Sequence, residues 1–294
     1  MTPNSVCVSV CMITFNHGSY IEQAIEGVLS QHTDFSFELI ISDDISSDNT
    51  REICQRYYKR YPDKIRLLFR ENNLGIFDNF FQTISCAFGD YIAICEGDDY
   101  WIDPYKLQKQ KDFLDKKPNA SLVYHNAIVE DNGKRRLFID LNAEEHIVST
   151  EELLKKWSIP TASIMFRKES LLLPSPLKQF HNADYFLEIL LQTSGDIHYI
   201  PSIMSVYRKH SGSASEYMNK DLIGLYNGLV DLLCYCKPLF ADTEHDTFNS
   251  AISFYKQQIK NIECAAKYPF LKYLDWRYYK RSLFGMLHIV RVKK

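Results

Sequence analysis

Tyr91-Ile-Ala-Ile-Cys-Glu-Gly-Asp-Asp-Tyr-Trp101 runs from an apolar segment straight into two adjacent carboxylates. Strands buried in an α/β sheet read as near-continuous apolar runs, and such sheets gather their ligands outside the carboxyl ends of the strands. The stretch therefore predicts a buried strand that emerges into solvent at Asp98 and Asp99. A hard divalent cation takes oxygen ligands and often completes its shell with substrate phosphates. Paired carboxylates at a strand mouth thus point to metal-assisted handling of a phosphorylated substrate.

Working outward, the first hundred residues alternate strand and helix patterns. Val6 to Thr14 reads as a strand, and the turn Asn16-His-Gly-Ser leads into a helix with Ile21, Ala24, Ile25, Val28 and Leu29 on one face. Ser19 and Glu22 have the spacing of a capping box at its start. Phe37 to Ser42 is a second strand ending in Asp43-Asp44. Asp48 opens the next helix, about Asn49 to Tyr61, which Pro62 stops. Ile65 to Phe69 is a third strand, Asn72 to Gly75 a turn, and Phe77 to Phe88 a helix before the strand at Tyr91. The order βαβαβαβ predicts right-handed crossovers and a mostly parallel central sheet flanked by helices. Parallel neighbours would then bring Asp43/Asp44 and Asp98/Asp99 to the same sheet edge, where clustered like charges need a cation or ligand to offset them.

Composition bounds the rest. The chain has 294 residues, 46% of them hydrophobic, enough for a large α/β core, and its formal charge of −3 argues against a nucleic-acid partner. Eight cysteines include no CxxC pair. Cys7, Cys11, Cys54, Cys86 and Cys95 sit among apolar residues and read as small buried hydrophobes of a reducing compartment. Val6 to Phe15 is short and lacks a basic leader, so neither a signal peptide nor a membrane span is expected, and the predicted location is cytoplasmic. Residues 265–294 carry eight Lys or Arg against the single acid Asp275. There Trp276, Tyr279, Leu283, Leu287 and Val290 recur at helical spacing. Two readings stay open: a last helix with a solvated basic face, or an amphipathic contact with an anionic membrane surface.

Three stretches together resemble the inverting glycosyltransferases of family 2, which have the GT-A fold. They are Ser9-Val-Cys-Met-Ile-Thr-Phe-Asn16, Ile41-Ser-Asp-Asp-Ile-Ser-Ser-Asp-Asn-Thr50 and Glu96-Gly-Asp-Asp-Tyr-Trp-Ile-Asp-Pro-Tyr-Lys-Leu-Gln-Lys-Gln110. The resemblance covers about residues 5–215. It implies residues 1–215 as the GT-A domain, with 1–103 binding a nucleotide-sugar and 104–215 the acceptor, followed by a mostly helical extension over 216–294.

By the same resemblance, Thr14, Phe15, Asn16, Asp43, Asp44 and Asp98 surround the nucleoside, with Asp44 at the base edge and Asp98 near ribose and metal. Asp99 would coordinate Mn2+ or Mg2+. Asp184, opening the helix after His181-Asn-Ala, would be the general base that takes the acceptor hydroxyl's proton. Tyr207-Arg-Lys-His210 resembles the family's late element. It makes His210 a candidate third metal ligand and leaves Arg208 or Lys209 to offset the diphosphate charge. The implied reaction moves one sugar from a nucleoside-diphosphate sugar, UDP being the commoner donor nucleotide, to a hydroxyl of a glycan or lipid-linked glycan in bacterial surface polysaccharide assembly. Where many members have Gly after the first acid pair this chain has Ile45, and a β-branched residue resists positive φ, so another backbone course is expected there.

In the middle of the chain, Ser121 to Val129 and Arg136 to Ile139 flank the hairpin signal Asp131-Asn-Gly133. Ser149 to Trp157 reads as a capped helix, Thr161 to Phe166 and Ile197 to Val206 as strands. A further helical stripe, Phe248, Ile252, Tyr255, Ile259 and Ile262, reads as core packing. Rival classes lack their signatures: Asn16-His-Gly-Ser is neither the Gly-rich, Arg-containing loop of a sugar nucleotidyltransferase nor the GxGxxG of a dehydrogenase. A GT-A-fold binding module without turnover remains the alternative.

Overall fold

The apolar runs form four parallel strands in the computed structural model, which describes residues 6–155, 159–213, 216 and 220–267. They are β1 (Val8–Thr14), β2 (Phe37–Asp43), β3 (Ile65–Phe69) and β4 (Tyr91–Ile94), placed side by side as β3-β2-β1-β4. Val10 pairs with Leu39 on one side and Ala93 on the other. Between them run α1 (Ile21–Leu29), α2 (Thr50–Arg60) and α3 (Gly75–Ser85). Strand residues alternate between two cores. Val8, Val10 and Met12 join the core built on α1 and α2, whereas Cys11 joins the one built on α3. This two-sided burial explains why β1 and β2 show no polar face in sequence.

The second half of the sheet is mixed. After β5 (Tyr100–Trp101) and α4 (Lys106–Lys116) come β6 (Ala120–Asp131), β7 (Lys134–Leu137), β8 (His146–Ile147), α5 (Thr150–Lys155), β9 (Met165–Arg167), α6 (Ala183–Gln192) and β10 (Asp196–Lys209). The sheet continues β4-β9-β6-β10-β5. Strand β9 runs antiparallel to both β4 and β6, while β10 runs parallel to β6. The hairpin β6–β7 turns at Asn132 and Gly133, both with positive φ, as an Asn-Gly signal requires. Helices α7 (Leu222–Cys236) and α8 (His245–Lys267) close the described chain. Phe248, Ile252 and Tyr255 are buried in the same core as α6, so that stripe is packing.

Three local expectations are corrected. Thr161–Ser163 is a 3-10 turn, not strand, because Ser163 folds back to donate its N–H and its hydroxyl to the Pro160 carbonyl, at 2.8 and 2.5 Å. The Ser19/Glu22 capping box does not form: the helix start is held by the His17 carbonyl, and Glu22 accepts from Arg56 and Tyr57 of α2. Ile45 does adopt positive φ, 65°. The β-branched side chain is carried in the left-handed region at a cost of about 1–2 kcal/mol.

No helix among the described residues is long and apolar enough to cross a membrane. None of the eight cysteines is in a disulfide; Cys11, Cys54, Cys95 and Cys236 are buried, Cys7 and Cys86 half-buried, and Cys234 and Cys264 exposed. The basic segment expected over 265–294 lies, from residue 268 on, outside the described residues.

Candidate active site

Because β1, β2 and β4 are parallel, their carboxyl ends share one edge and both acid pairs lie on it. The turn after β4 is pressed against β1. The Gly97 N–H donates to the Ile13 carbonyl at 3.0 Å, and a Cβ on Gly97 would stand 2.7 Å from Thr14 Oγ1 and 2.8 Å from Ile21 Cδ1. No side chain fits there, which fixes where Asp98 emerges.

Two histidines meet Asp98. His210, just past β10, places Nε2 3.1 Å from Asp98 Oδ2, and His17, in the turn after β1, places Nε2 3.7 Å from the same oxygen. The ligand atoms of His17, Asp98 and His210 all lie within 4.8 Å of one another, and His17 Nδ1 is buried without a partner. Burial alone would raise the Asp98 carboxyl, but the His210 hydrogen bond and the two imidazoles hold it below the usual carboxylate value. Burial keeps His17 below the usual imidazole value despite Asp98. An anionic carboxylate beside a neutral imidazole is a donor set for a divalent cation, and two nitrogens suit Mn2+ better than Mg2+. His17 was missed in sequence because it sits in what reads as a simple turn; its signal was that the turn follows a strand on the acid-bearing edge.

Asp99 lies outside that group of three. It is buried and accepts the Arg208 N–H at 2.8 Å, and burial with the Asp98 charge raises its carboxyl well above the usual value. Arg208 is also buried. It donates to the Asp98 carbonyl at 2.7 Å and to Gln23 of α1, and stacks 4.2 Å over the Tyr100 ring and 5.4 Å from that of Tyr20. Arg208 therefore ties the acid turn, α1 and the end of β10 together, which brings His210 to Asp98. Beneath the turn, Lys106 is fully buried, 4.1 Å from the Trp101 ring centroid, with its Nζ 2.6 Å from Gln110 Oε1. Burial pulls its ammonium pKa down to about 7. Gln110 in turn donates to the Val123 and Ser163 carbonyls, at 3.1 and 2.7 Å. The Trp101-to-Gln110 part of the third motif thus fastens the acid turn to the second half of the sheet.

On the β1–β2 side, Phe15 is 48% exposed and Thr14 is buried with Oγ1 unpartnered. Asn16, with φ 57°, accepts from the Ser47 N–H at 2.8 Å and donates its own N–H to Ser46 Oγ at 2.8 Å, joining the two loops. Asp43 is fully buried, ion-paired with Arg51, and leaves Oδ2 unpartnered. Asp44 accepts the Leu74 and Gly75 N–H groups, at 2.7 and 2.9 Å, at the start of α3. Nearby, Arg70 donates to Ser42 and Asn79 and keeps Nη2 buried without a partner.

Asp184 lies in the first turn of α6, whose N-cap is Asn182. It is half-buried, and its two oxygens accept the Thr161 hydroxyl at 3.0 Å and the Tyr185 N–H at 2.9 Å. Thr161, the partner of Asp184, opens the turn whose Ala162 carbonyl accepts from Trp101 Nε1 at 2.8 Å, two residues past Asp99. The half-buried Glu96 carboxyl of the β4 turn is pushed up by burial and then by the charges of Asp98, Asp99 and Asp184. The acid of α6 is thus linked, through Thr161, to the segment that carries the acids of the β4 turn.

One turn further along α6, Glu188 is fully buried with neither oxygen partnered among the described residues, and burial, then Asp184, raises its carboxyl well above the usual value. An acid whose folded pKa exceeds its unfolded one loses stability as pH rises between the two, at about 1.4 kcal/mol per pH unit. Glu188→Gln is expected to melt above the wild type by on the order of 5 °C at pH 8, the gap closing toward the ordinary glutamate value of 4.5. Thermal melts across that range check it, and a gap independent of pH would refute a buried neutral acid.

Comparison with known proteins follows the geometry. Residues 9–209 match the model for glycosyl transferase family 2. An uncharacterized protein of Mycobacterium tuberculosis, Rv1520, is 36% identical over 206 residues, 69% of this chain and 59% of its own. The chain thus spans less than two thirds of that relative. The Escherichia coli protein named UDP-Glc:alpha-D-GlcNAc-diphosphoundecaprenol beta-1,3-glucosyltransferase WfgD is 29% identical over 229 residues, 77% of this chain and 86% of its own. Among solved structures, the mannosyltransferase PcManGT from Pyrobaculum calidifontis, in complex with GDP-Man and Mn2+, has the same fold, with a TM-score of 0.59 at 15% identity, covering 98% of this chain and 89% of that one. The chain belongs to glycosyl transferase family 2.

Proposed function

We propose that this protein is a metal-dependent inverting glycosyltransferase that moves one sugar from a nucleoside-diphosphate sugar to a hydroxyl of a glycan acceptor. The observation that carries this is the meeting of His17, Asp98 and His210 at the sheet edge, with Asp184 tied through Thr161 to the segment beside it. The two histidines and Asp98 would hold the cation, with Asp99 and Arg208 fixing the turn that presents Asp98. When bound, such an ion supplies charge compensation for the departing diphosphate.

Asp184 takes the acceptor hydroxyl's proton while that oxygen bonds the anomeric carbon and the bond from that carbon to the diphosphate oxygen breaks. Attack from the face opposite the leaving group inverts the configuration. The Thr161 hydroxyl and Tyr185 N–H hold the Asp184 carboxylate in one orientation. The exposed Phe15 ring stacks on the base and Thr14 lines its edge. Asn16, Asp43 and Asp44 shape the surrounding loops through Ser47, Arg51 and the start of α3, and Asp43 keeps Oδ2 available on the nucleoside side. The name of the E. coli relative supports UDP as the donor nucleotide and a sugar linked through diphosphate to a lipid as the acceptor; such an acceptor fits a step of surface polysaccharide assembly.

Calorimetric titration with UDP, GDP and TDP, each with and without Mn2+, tests the reading. UDP is expected to bind at least about tenfold tighter with the ion, a difference of roughly 1.4 kcal/mol. Binding indifferent to the metal for all three nucleotides would sink it.

A further inference from the structure

The far end of the sheet, the ribbon β7-β6-β10, has two faces of unequal charge. Residues paired directly across neighbouring strands share a face, as do residues two apart along one strand. On one face the charges are matched: Glu130 pairs in register with Arg135 and Arg208, Arg135 forms an ion pair with Glu130 at 2.7 Å, and it reaches the Tyr100 hydroxyl at 3.2 Å. On the other, Asp131 pairs in register with both Lys134 and Lys209, and Val129 with both Arg136 and Tyr207. Phe138, two residues beyond Arg136, meets the Tyr207 ring at 6.1 Å, in keeping with that alternation. Three cations therefore surround a single strand carboxylate.

Lys209 is half-buried and its ammonium donates no hydrogen bond among the described residues. Among the described residues the Arg136 guanidinium donates only to the Leu137 carbonyl, at 3.4 Å, and Lys134 is exposed. Like charges held close are costly unless an anion lies between them, and a lysine-arginine pair is a good phosphate receptor. Arg208 turns to the opposite face, toward Asp98 and the donor side. Lys209 stands one residue from His210, so this face borders the site without being part of the metal set.

We propose that the face carrying Lys134, Arg136 and Lys209 binds a phosphate group of the acceptor. This deepens the reading above and rests on it for the word acceptor; the same chemistry could also come from the donor's own diphosphate, and the test separates the two.

Metal-free protein is titrated calorimetrically with inorganic pyrophosphate at low and moderate salt. Saturable binding is expected that weakens with salt and is not displaced by UDP at concentrations raised enough to saturate its weaker, ion-free binding. Lys209→Gln, Arg136→Gln and the exposed Lys134→Gln should each weaken it about three- to tenfold, while Arg135→Gln, on the matched face, leaves it unchanged. The Lys134 variant, away from the core, keeps the test readable if another misfolds. Absence of saturable binding, equal weakening by Arg135→Gln, or displacement by UDP, which would assign the anion to the donor, overturns the proposal. Pyrophosphate binding requires neither metal nor turnover, so its failure leaves the transferase reading standing, and metal-independent UDP binding would leave this site standing.

Discussion

Asp98→Asn is expected to remove the Mn2+-dependent part of UDP binding and to lower kcat/KM by about a thousandfold, whereas Asp99→Asn should keep measurable metal dependence. The distinction follows from where the two carboxylates point. Asp98 Oδ2 lies against His210 and His17 and is held anionic there, while Asp99 is buried against the Arg208 N–H with its proton favoured. A bound cation contributes several kcal/mol of charge stabilisation, and each 1.36 kcal/mol is tenfold in rate, so losing its anionic ligand costs about three decades. Asp99→Asn retains an oxygen acceptor for Arg208, and its cost is that of a disturbed supporting contact, about ten- to a hundredfold. Titration of each variant with UDP at fixed Mn2+, alongside steady-state rates, reads both effects. If Asp99→Asn abolished the metal dependence and Asp98→Asn spared it, the ligand assignment would have to be reversed.

That contrast marks how far the sequence could be read. The abrupt change from Tyr91-Ile-Ala-Ile to Asp98-Asp99 was enough to place an acid turn at a strand mouth, because two-sided burial leaves so clear a hydropathy signature in β1, β2 and β4. Which of two adjacent aspartates meets the histidines is not legible. It depends on a long-range partner, the N–H of Arg208, more than a hundred residues away. His17 was hidden for a related reason: its role exists only once β10 returns beside β5 and delivers His210. The antiparallel insertion of β9 between β4 and β6 was equally invisible, since a three-residue strand after a Pro160 turn carries no periodicity. Ile45 shows the limit of steric rules. The left-handed backbone it was expected to avoid is imposed by the surrounding loop contacts, with Asp44 N–H bonded to the Thr14 carbonyl at 3.0 Å and the Ser46 N–H bonded to Asp43 Oδ1 at 3.1 Å.

Asp184→Asn is expected to leave UDP and Mn2+ affinity within about twofold of the wild type and to lower the rate of sugar transfer by about a hundred- to ten-thousandfold, the range that a positioned proton acceptor contributes. The amide keeps the size of the carboxylate: its oxygen can still accept the Tyr185 N–H and its NH2 can donate to the Thr161 hydroxyl, so the start of α6 should hold. What it loses is the ability to take a proton. Asp184 is outside the group formed by His17, Asp98 and His210, which is why donor binding should survive. Thr161→Val provides the graded comparison: it keeps the carboxylate but removes one of its two anchors, and should lower kcat about tenfold with little change in KM for the donor. Single-turnover transfer measured against pH completes the argument. The acid limb, where protonation of the base stops catalysis, should be present in the wild type and in Thr161→Val and absent from whatever residual rate Asp184→Asn retains. A variant that lost donor affinity, or kept an unchanged acid limb, would remove Asp184 from the role of base and leave Glu96, the other carboxyl in the same field, as the group to test next.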